Sequence, residues 1–178
     1  MADERRAWPL APPISAPPRR ARSRGDVAAA AVLWTGLGLG LLLKLMFAGW
    51  VMLWLLWLAP VLVGVPVAGA IVLNGVLLRG WPRGRSWSVA PAHYRLLAWV
   101  LGVGSFLAGA AMIDVGDGDE VRSAWAAVLG QEHAPQTPEV AVRSWGFAAL
   151  AAVVAVVWFV IDRRAARRQE SSEGAALG

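Results

Sequence analysis

Hydrophobic side chains occur in three long runs along the chain, and charged side chains are concentrated in the segments between these runs. The longest run covers residues 27–78 and contains a single charged residue, Lys44. A helix needs about 20 apolar residues to cross the hydrocarbon core of a bilayer, which is about 30 Å thick. The run is therefore long enough for two crossings, which predicts an integral membrane protein.

The long run is expected to turn near Gly49, because glycine tolerates turn geometry and the neighbouring Trp50 is of a type common at the membrane interface. The second half exceeds the thickness of the bilayer, so it should tilt or bend. Pro60 and Pro66 mark places where a helix hydrogen bond is missing, and they are the expected kink sites. The two predicted spans cover about residues 27–47 and 50–78.

Two shorter runs predict a third and a fourth membrane helix, over about residues 95–113 and 144–162. Thr137, Pro138 and Glu139 supply a cap, a proline for the first turn and an acidic residue. The fourth helix is therefore expected to begin there, outside the membrane. The predicted fold is an all-α integral membrane protein with four transmembrane helices.

The segments outside the predicted helices are polar. Residues 1–25 are rich in proline and arginine, which predicts a disordered tail. The other predicted units are a four-helix membrane domain 26–168, its loops 79–94 and 114–143, and a disordered C-terminal tail 169–178.

The 114–143 loop begins with acidic residues and then predicts a short helix over about residues 120–129. Asp119 is the expected N-cap and Gly130 the expected C-terminal stop. The apolar residues on one face of this helix are Val121, Trp125, Val128 and Leu129. A short amphipathic helix is typical of the membrane surface, so an interfacial position is predicted.

Arginine placement predicts the orientation of the chain. Of 17 basic residues, all but Lys44 are arginines, and only Arg122 and Arg143 lie in the 114–143 loop. By the positive-inside rule, both termini and the 79–94 loop are cytoplasmic and the 114–143 loop is external. The composition, rich in arginine, alanine and tryptophan, indicates a high-GC bacterium, and the expected location is its cell membrane.

Catalytic and metal chemistry are not expected. The chain has no cysteine, and the interior of every predicted span lacks a histidine, aspartate or glutamate that could activate Ser105. His93 and His133 are predicted to flank the third helix from opposite sides of the membrane, so they cannot share a metal or haem. We therefore predict no enzyme activity, no cofactor and no catalytic, cofactor-binding or metal-binding residue.

Small residues four positions apart predict close helix packing, either within one chain or between copies. These helix-packing candidates are Gly36, Gly40, Ser105, Gly109, Ala148 and Ala152. Two polar residues lie within the predicted spans. Asn74 is expected to hydrogen-bond between helices, with a polar path as the alternative, and Lys44 is expected to extend outward to the headgroups. Asp26 is expected to cap the first helix.

Tryptophan and arginine mark the predicted membrane boundaries. The lipid-interface candidates are Trp50, Trp81, Trp145, Trp158, Arg163, Arg164, Arg167 and Arg168. Tryptophan prefers the interface, and arginines there attract anionic headgroups. The expected partners are the bilayer and its anionic lipid headgroups. Nucleic acid is not expected, because no aromatic or fold signature accompanies the basic tail.

Packing motifs without catalytic or ion-coupling residues favour a non-enzymatic accessory or scaffold protein, which forms a homo-oligomer or joins a larger membrane complex. Conjugation or transfer, secretion and cell-envelope machinery use proteins of this kind. The alternative prediction is an oligomeric pore or small-solute transporter, with Asn74 and Thr35 as lining residues.

Overall fold

A computed structural model describes residues 23–46, 51–80, 90–112, 114–115 and 121–176. The predicted turn near Gly49 lies outside these residues. The described elements are, in order, α1 (Arg24–Met46), α2 (Val51–Leu62), α3 (Gly64–Arg79), α4 (Ala92–Ala111), β1 (Asp114–Val115), β2 (Val121–Arg122), α5 (Ala124–Leu129), a 3-10 helix (Gln131–Gln136) and α6 (Thr137–Ala176).

Four helical segments are long and apolar enough to cross a membrane. They are Arg24–Met46, Trp57–Arg79, Ala92–Ala111 and Thr137–Ser172. Each overlaps one of the four predicted spans, and the second combines the end of α2 with α3. The fold is therefore that of a helical, multi-pass membrane protein, as the sequence predicted.

The long helices form a bundle in which α4 is central. α4 packs along α1 on one side and along α6 on the other, and α3 closes the bundle by contacting all three. α2 makes its main contacts with α3. The residues that join helices are consequently expected along both sides of α4.

The bundle has small residues inside and large apolar residues outside. Its interior is mostly alanine, with Leu33, Leu73, Leu77, Leu101, Val76 and Tyr94 as the larger side chains. The exposed large residues include Leu42, Ile71, Leu96, Phe147 and Leu150. Lipid tails are as apolar as leucine, so helices in a membrane associate through close packing of small residues rather than by hiding large ones from solvent.

The second span is interrupted at Val63, between α2 and α3. Pro66 follows in the first turn of α3 and has no N–H, so the carbonyl oxygen of Leu62 lacks its usual helical donor four residues later. The indole N–H of Trp145 on α6 donates to that oxygen at 3.2 Å. The helix is interrupted three residues before Pro66, one of the predicted kink sites, and the carbonyl that Pro66 leaves without a helical donor joins this span to α6.

The segment before α6 differs from the prediction. Residues 114–115 and 121–122 form a short antiparallel β pair that the sequence analysis did not predict. Val121 is part of this pair, so the helix begins later, and its N-cap is Ser123 instead of Asp119. The Ser123 hydroxyl accepts a hydrogen bond from the N–H of Ala126 at 3.0 Å. Gly130 ends α5 with a φ of 103°, which favours glycine.

α6 begins at Thr137, the residue where the sequence predicts a helix start, and has 40 residues. At 1.5 Å per residue it is about 60 Å long, roughly twice the hydrocarbon thickness. The helix continues to Ala176, through most of the tail 169–178 that was predicted to be disordered. Alanine, arginine, glutamine and glutamate, which are good helix formers, dominate this extension.

Candidate functional site

Four polar side chains tie three helices together at one end of the bundle. We call them the polar end cluster: Asp26 on α1, Tyr94 and Arg95 on α4, and Asp162 on α6. Asp26 and Tyr94 are both fully buried. Burial of an acid and a phenol requires partners, and the geometry identifies them.

Asp26 joins α1 to the beginning of α4. Its carboxylate accepts a hydrogen bond from the backbone N–H of Ala90 at 3.4 Å and lies 3.9 Å from Nε of Arg95. The predicted capping role belongs to Ser23, whose hydroxyl accepts a hydrogen bond from the Asp26 N–H at 3.0 Å. The Asp26 side chain is therefore available for a contact between helices.

Tyr94 joins α4 to α6. Its hydroxyl donates a hydrogen bond to the Asp162 carboxylate at 2.9 Å. Tyr94 is the single tyrosine of the chain, and the sequence analysis gave it no role. The sequence feature that could have predicted this role is the position of Tyr94 at the beginning of an alanine-rich helix. A phenol buried there needs a hydrogen-bond acceptor on a neighbouring helix.

His93 packs beside this cluster through its ring. The ring centroid lies 4.4 Å from that of Tyr94 and 5.2 Å from that of Trp158, with interplanar angles of 42° and 27°. Among the described residues, no group of three or more histidine, cysteine or acidic side chains could hold a metal ion. The contacts of His93 are those of an aromatic packing residue.

The polar end cluster can hold helices in register. Each carboxylate contacts a group from another helix, and both contacts involve consecutive residues of α4. Loss of the basic partner of a buried acid leaves an uncompensated charge, which is costly. The arrangement therefore favours one relative position of α1, α4 and α6 at this end.

The predicted glycines bring α1 and α4 into backbone contact. We call Gly36, Gly40, Gly102 and Gly109 the glycine seam. A Cβ at Gly36 would clash with the backbone of Gly102, and a Cβ at Gly109 would clash with that of Gly40. A Cβ at Gly102 would lie 2.6 Å from the carbonyl oxygen of Val32. Gly102 was missed, although it lies seven residues before Gly109 and hence on the same face.

The other packing candidates also lie between helices of the same chain. The backbone of Ser105 faces Gly40. Ala148 and Ala152 on α6 are fully buried. A Cβ at Gly104 would lie 3.2 Å from the Ala148 Cβ, so Ala148 packs against α4. A Cβ at Gly69 would lie 2.5 Å from the Ala152 Cβ, so Ala152 packs against α3.

Asn74 and Lys44, the two polar residues within the predicted spans, have different surroundings. Asn74 on α3 accepts a hydrogen bond at 3.1 Å from the indole N–H of Trp34 on α1, so it links two helices. Lys44 is only 5% exposed, so the protein covers the side chain that the sequence predicts to extend outward to the headgroups. It lies four residues after Gly40, on the face of α1 that packs against α4.

The predicted interface residues are spread over the bundle. Trp50 and Trp81 lie outside the described residues. Trp145 is half-buried and donates to Leu62, whereas Trp158 is 45% exposed and stacks on His93. The exposed basic residues after the apolar part of α6 are Arg163, Arg164, Arg167 and Arg168.

Comparison of the chain with protein-family models, curated proteins and solved structures gives no match. The features that bear on function are therefore the polar end cluster, the glycine seam and the exposed surface.

Proposed function

We propose that this protein is a non-enzymatic accessory or scaffold component of a bacterial membrane assembly. It acts as a homo-oligomer or within a larger complex of the transfer, secretion or cell-envelope type. The observation that carries this proposal is the closed interior of the described bundle. α1 and α4 touch through backbone at the glycine seam, and alanines fill the space between α4, α6 and α3.

A closed interior leaves the outer faces for function. Large apolar side chains cover these faces, and Trp57 on α2 is 88% exposed. Gly38 on α1 and Gly146 on α6 have open space where a Cβ would be. A partner helix could approach closely at these two positions, whereas the glycine seam is already occupied.

We further propose that both termini are cytoplasmic and that residues 114–143 are external. Arg79 ends α3 and Arg95 lies in the first turn of α4. Among the described residues, the 114–143 segment carries only two arginines, Arg122 and Arg143. Arginine-rich ends stay on the cytoplasmic side during insertion. Val128 and Leu129 on α5 are 81% and 46% exposed, which supports an interfacial position for this short helix.

Cross-linking in native membranes tests the scaffold proposal. Because the chain has no cysteine, single cysteines can be introduced one at a time. Gly38→Cys and Gly146→Cys should give cross-linked dimers or adducts with another membrane protein. Ala155→Cys is the matched control, because Ala155 is fully buried and should give neither product.

Gentle detergent extraction provides the second measurement. Co-purification of a partner, or a mass above that of one chain, supports the proposal. A strictly monomeric protein that forms no cross-link in the membrane contradicts it. Solute flux in liposomes that is lost on Asn74→Leu would instead favour the pore.

Orientation is tested separately with a reagent that cannot cross the membrane. Gln136→Cys, at an exposed position of the 114–143 segment, should react when the reagent is added outside intact cells. Reaction only after permeabilisation would contradict the proposed orientation.

A further inference from the structure

Four arginines follow the apolar part of α6 and form a compact basic surface. We call Arg163, Arg164, Arg167 and Arg168 the basic stripe. All four side chains are exposed. They lie on a continuous helix that extends to Ala176, so their direction follows from the rotation of α6 about its axis.

Contacts with the bundle fix this rotation. Ala148 and Ala155 are fully buried, and Asp162 accepts the hydrogen bond from Tyr94. Ala166, one turn further, is still only 5% exposed. Successive members of this set are separated by seven, seven and four residues, which places them on one side of a helix with 3.6 residues per turn. That side faces the protein, even beyond the apolar segment.

Arg164, Arg167 and Arg168 lie on the opposite half of the helix, and Arg163 lies between the two sides. Val153, Val157 and Val160 are 51%, 51% and 38% exposed and form the surface that α6 presents away from the bundle. Arg164 follows Val160 by four residues and Arg167 follows it by seven, so both continue the same line along the helix. The basic stripe is thus the direct extension of a lipid-facing surface.

The position along the axis matches the headgroup layer. At 1.5 Å per residue, the stripe covers about 7.5 Å of the helix immediately after the apolar segment. The polar layer on each side of the hydrocarbon core is about 5–8 Å thick. All four guanidinium groups can therefore reach phosphates of the adjoining leaflet.

We propose that the basic stripe of α6 binds the phosphate groups of anionic phospholipids in the leaflet next to the polar end cluster. Arginine matches phosphate through its planar set of donors. A nucleic acid would need a basic surface that faces the aqueous phase, whereas this one continues a hydrocarbon-facing line. The inference depends on membrane insertion but is independent of the scaffold proposal.

A local lipid reporter tests the inference on the full chain. Val160→Cys introduces a single thiol beside the stripe, and a fluorophore attached there is quenched by nearby brominated lipid. The labelled protein is placed in vesicles of phosphatidylcholine mixed with phosphatidylglycerol, and only one of the two lipids is brominated. The ratio of the two quenching curves gives the local preference for the anionic lipid.

The protein with an intact stripe should prefer phosphatidylglycerol. Each arginine near an anionic surface contributes a factor of about five, so Arg167→Gln should reduce the preference about fivefold. Arg164→Gln combined with Arg167→Gln should reduce it further. Quenching by brominated phosphatidylcholine should rise as phosphatidylcholine takes the positions that phosphatidylglycerol leaves, which shows that the variants remain inserted.

A charge-conserving variant separates placement from net charge. Arg167→Gln combined with Gln169→Arg restores the charge, but residue 169 lies on a side of α6 away from the stripe. Its lipid preference should equal that of Arg167→Gln alone. The proposal is overturned if this variant regains the preference of the intact stripe, or if Arg167→Gln has no effect. It is also overturned if the solubilised protein binds an oligonucleotide with the same dependence on Arg164 and Arg167.

Discussion

The hydrogen bond from Trp145 to the carbonyl of Leu62 can be tested quantitatively, because Pro66 is the reason that this carbonyl is free. Trp145→Phe removes the donor and keeps an aromatic ring. A net hydrogen bond contributes about 0.5–1.5 kcal/mol, and those between membrane helices average about 0.6 kcal/mol with a maximum near 1.7. We expect Trp145→Phe to lower the free energy of unfolding by about 1 kcal/mol.

Because phenylalanine is smaller than tryptophan, Trp145→Phe also loses packing contacts. A double-mutant cycle separates this loss from the loss of the hydrogen bond. In a Pro66→Ala background, the N–H of residue 66 can donate to the Leu62 carbonyl within the helix. Trp145→Phe should then cost less than half as much, because the carbonyl keeps a donor. The difference between the two costs, about 0.5 kcal/mol or more, is the coupling energy.

The assay is unfolding of the reconstituted protein, with the midpoint temperature as a second reading. For a chain of this length, about 1 kcal/mol corresponds to a shift of roughly 2–4 °C. Pro60→Ala is the matched control, since it restores a donor six residues earlier, to the carbonyl of Leu56, and should leave the cost of Trp145→Phe unchanged. If Trp145→Phe lowers the free energy of unfolding equally in the natural chain and in the Pro66→Ala background, then Pro66 is not the reason that the hydrogen bond stabilises the bundle.

Three further predictions concern the contacts between helices, and each is measured as the unfolding free energy of the reconstituted protein. Gly102→Leu should lower stability by about 3 kcal/mol or prevent folding, because its side chain would enter the α1 backbone. Gly64→Leu is the matched control, since space is open there, and it should change stability by less than about 0.5 kcal/mol. Similar effects of the two substitutions would contradict the glycine seam. Tyr94→Phe should cost about 1–2 kcal/mol by removing the donor to Asp162, and a neutral result would exclude a role for that bond in stability. Asp26→Asn should lower the free energy of unfolding by about 1–3 kcal/mol. This is less than the cost of breaking a fully buried ion pair, because the arginine partner is 36% exposed. A gain in stability would contradict a stabilising role for the Asp26 carboxylate.

The outcome for Lys44 illustrates how far residue pattern can be taken. A single lysine near the end of an apolar run is usually explained by extension to the headgroups. Its spacing from Gly36 and Gly40 instead placed it on the face that contacts α4. The spacing of Lys44 from the two packing glycines was more informative than its position near the end of the apolar run. Only the structure, however, established which face of α1 is covered.

The short helix before α6 shows a second limit. Residues 120–129 were assigned to one helix because acidic residues precede an apolar pattern. The β pair between residues 114–115 and 121–122 takes Val121 from that helix and leaves Ser123 as the cap. The two strands are separated by only five residues, among them Gly116 and Gly118. This short, glycine-containing connection was a local signal for a hairpin, and the helix prediction overlooked it.

The sequence by itself determined the number and approximate positions of the membrane helices, because a bilayer of fixed thickness demands long uncharged segments. It also indicated where the second span is interrupted, since proline removes a hydrogen bond wherever it lies in a helix. The tertiary structure alone decided which helices meet. The partners of Asp26, Tyr94 and the Leu62 carbonyl come from residues far away in the chain, and the rotation of each helix, which sets those contacts, depends on all its neighbours at once.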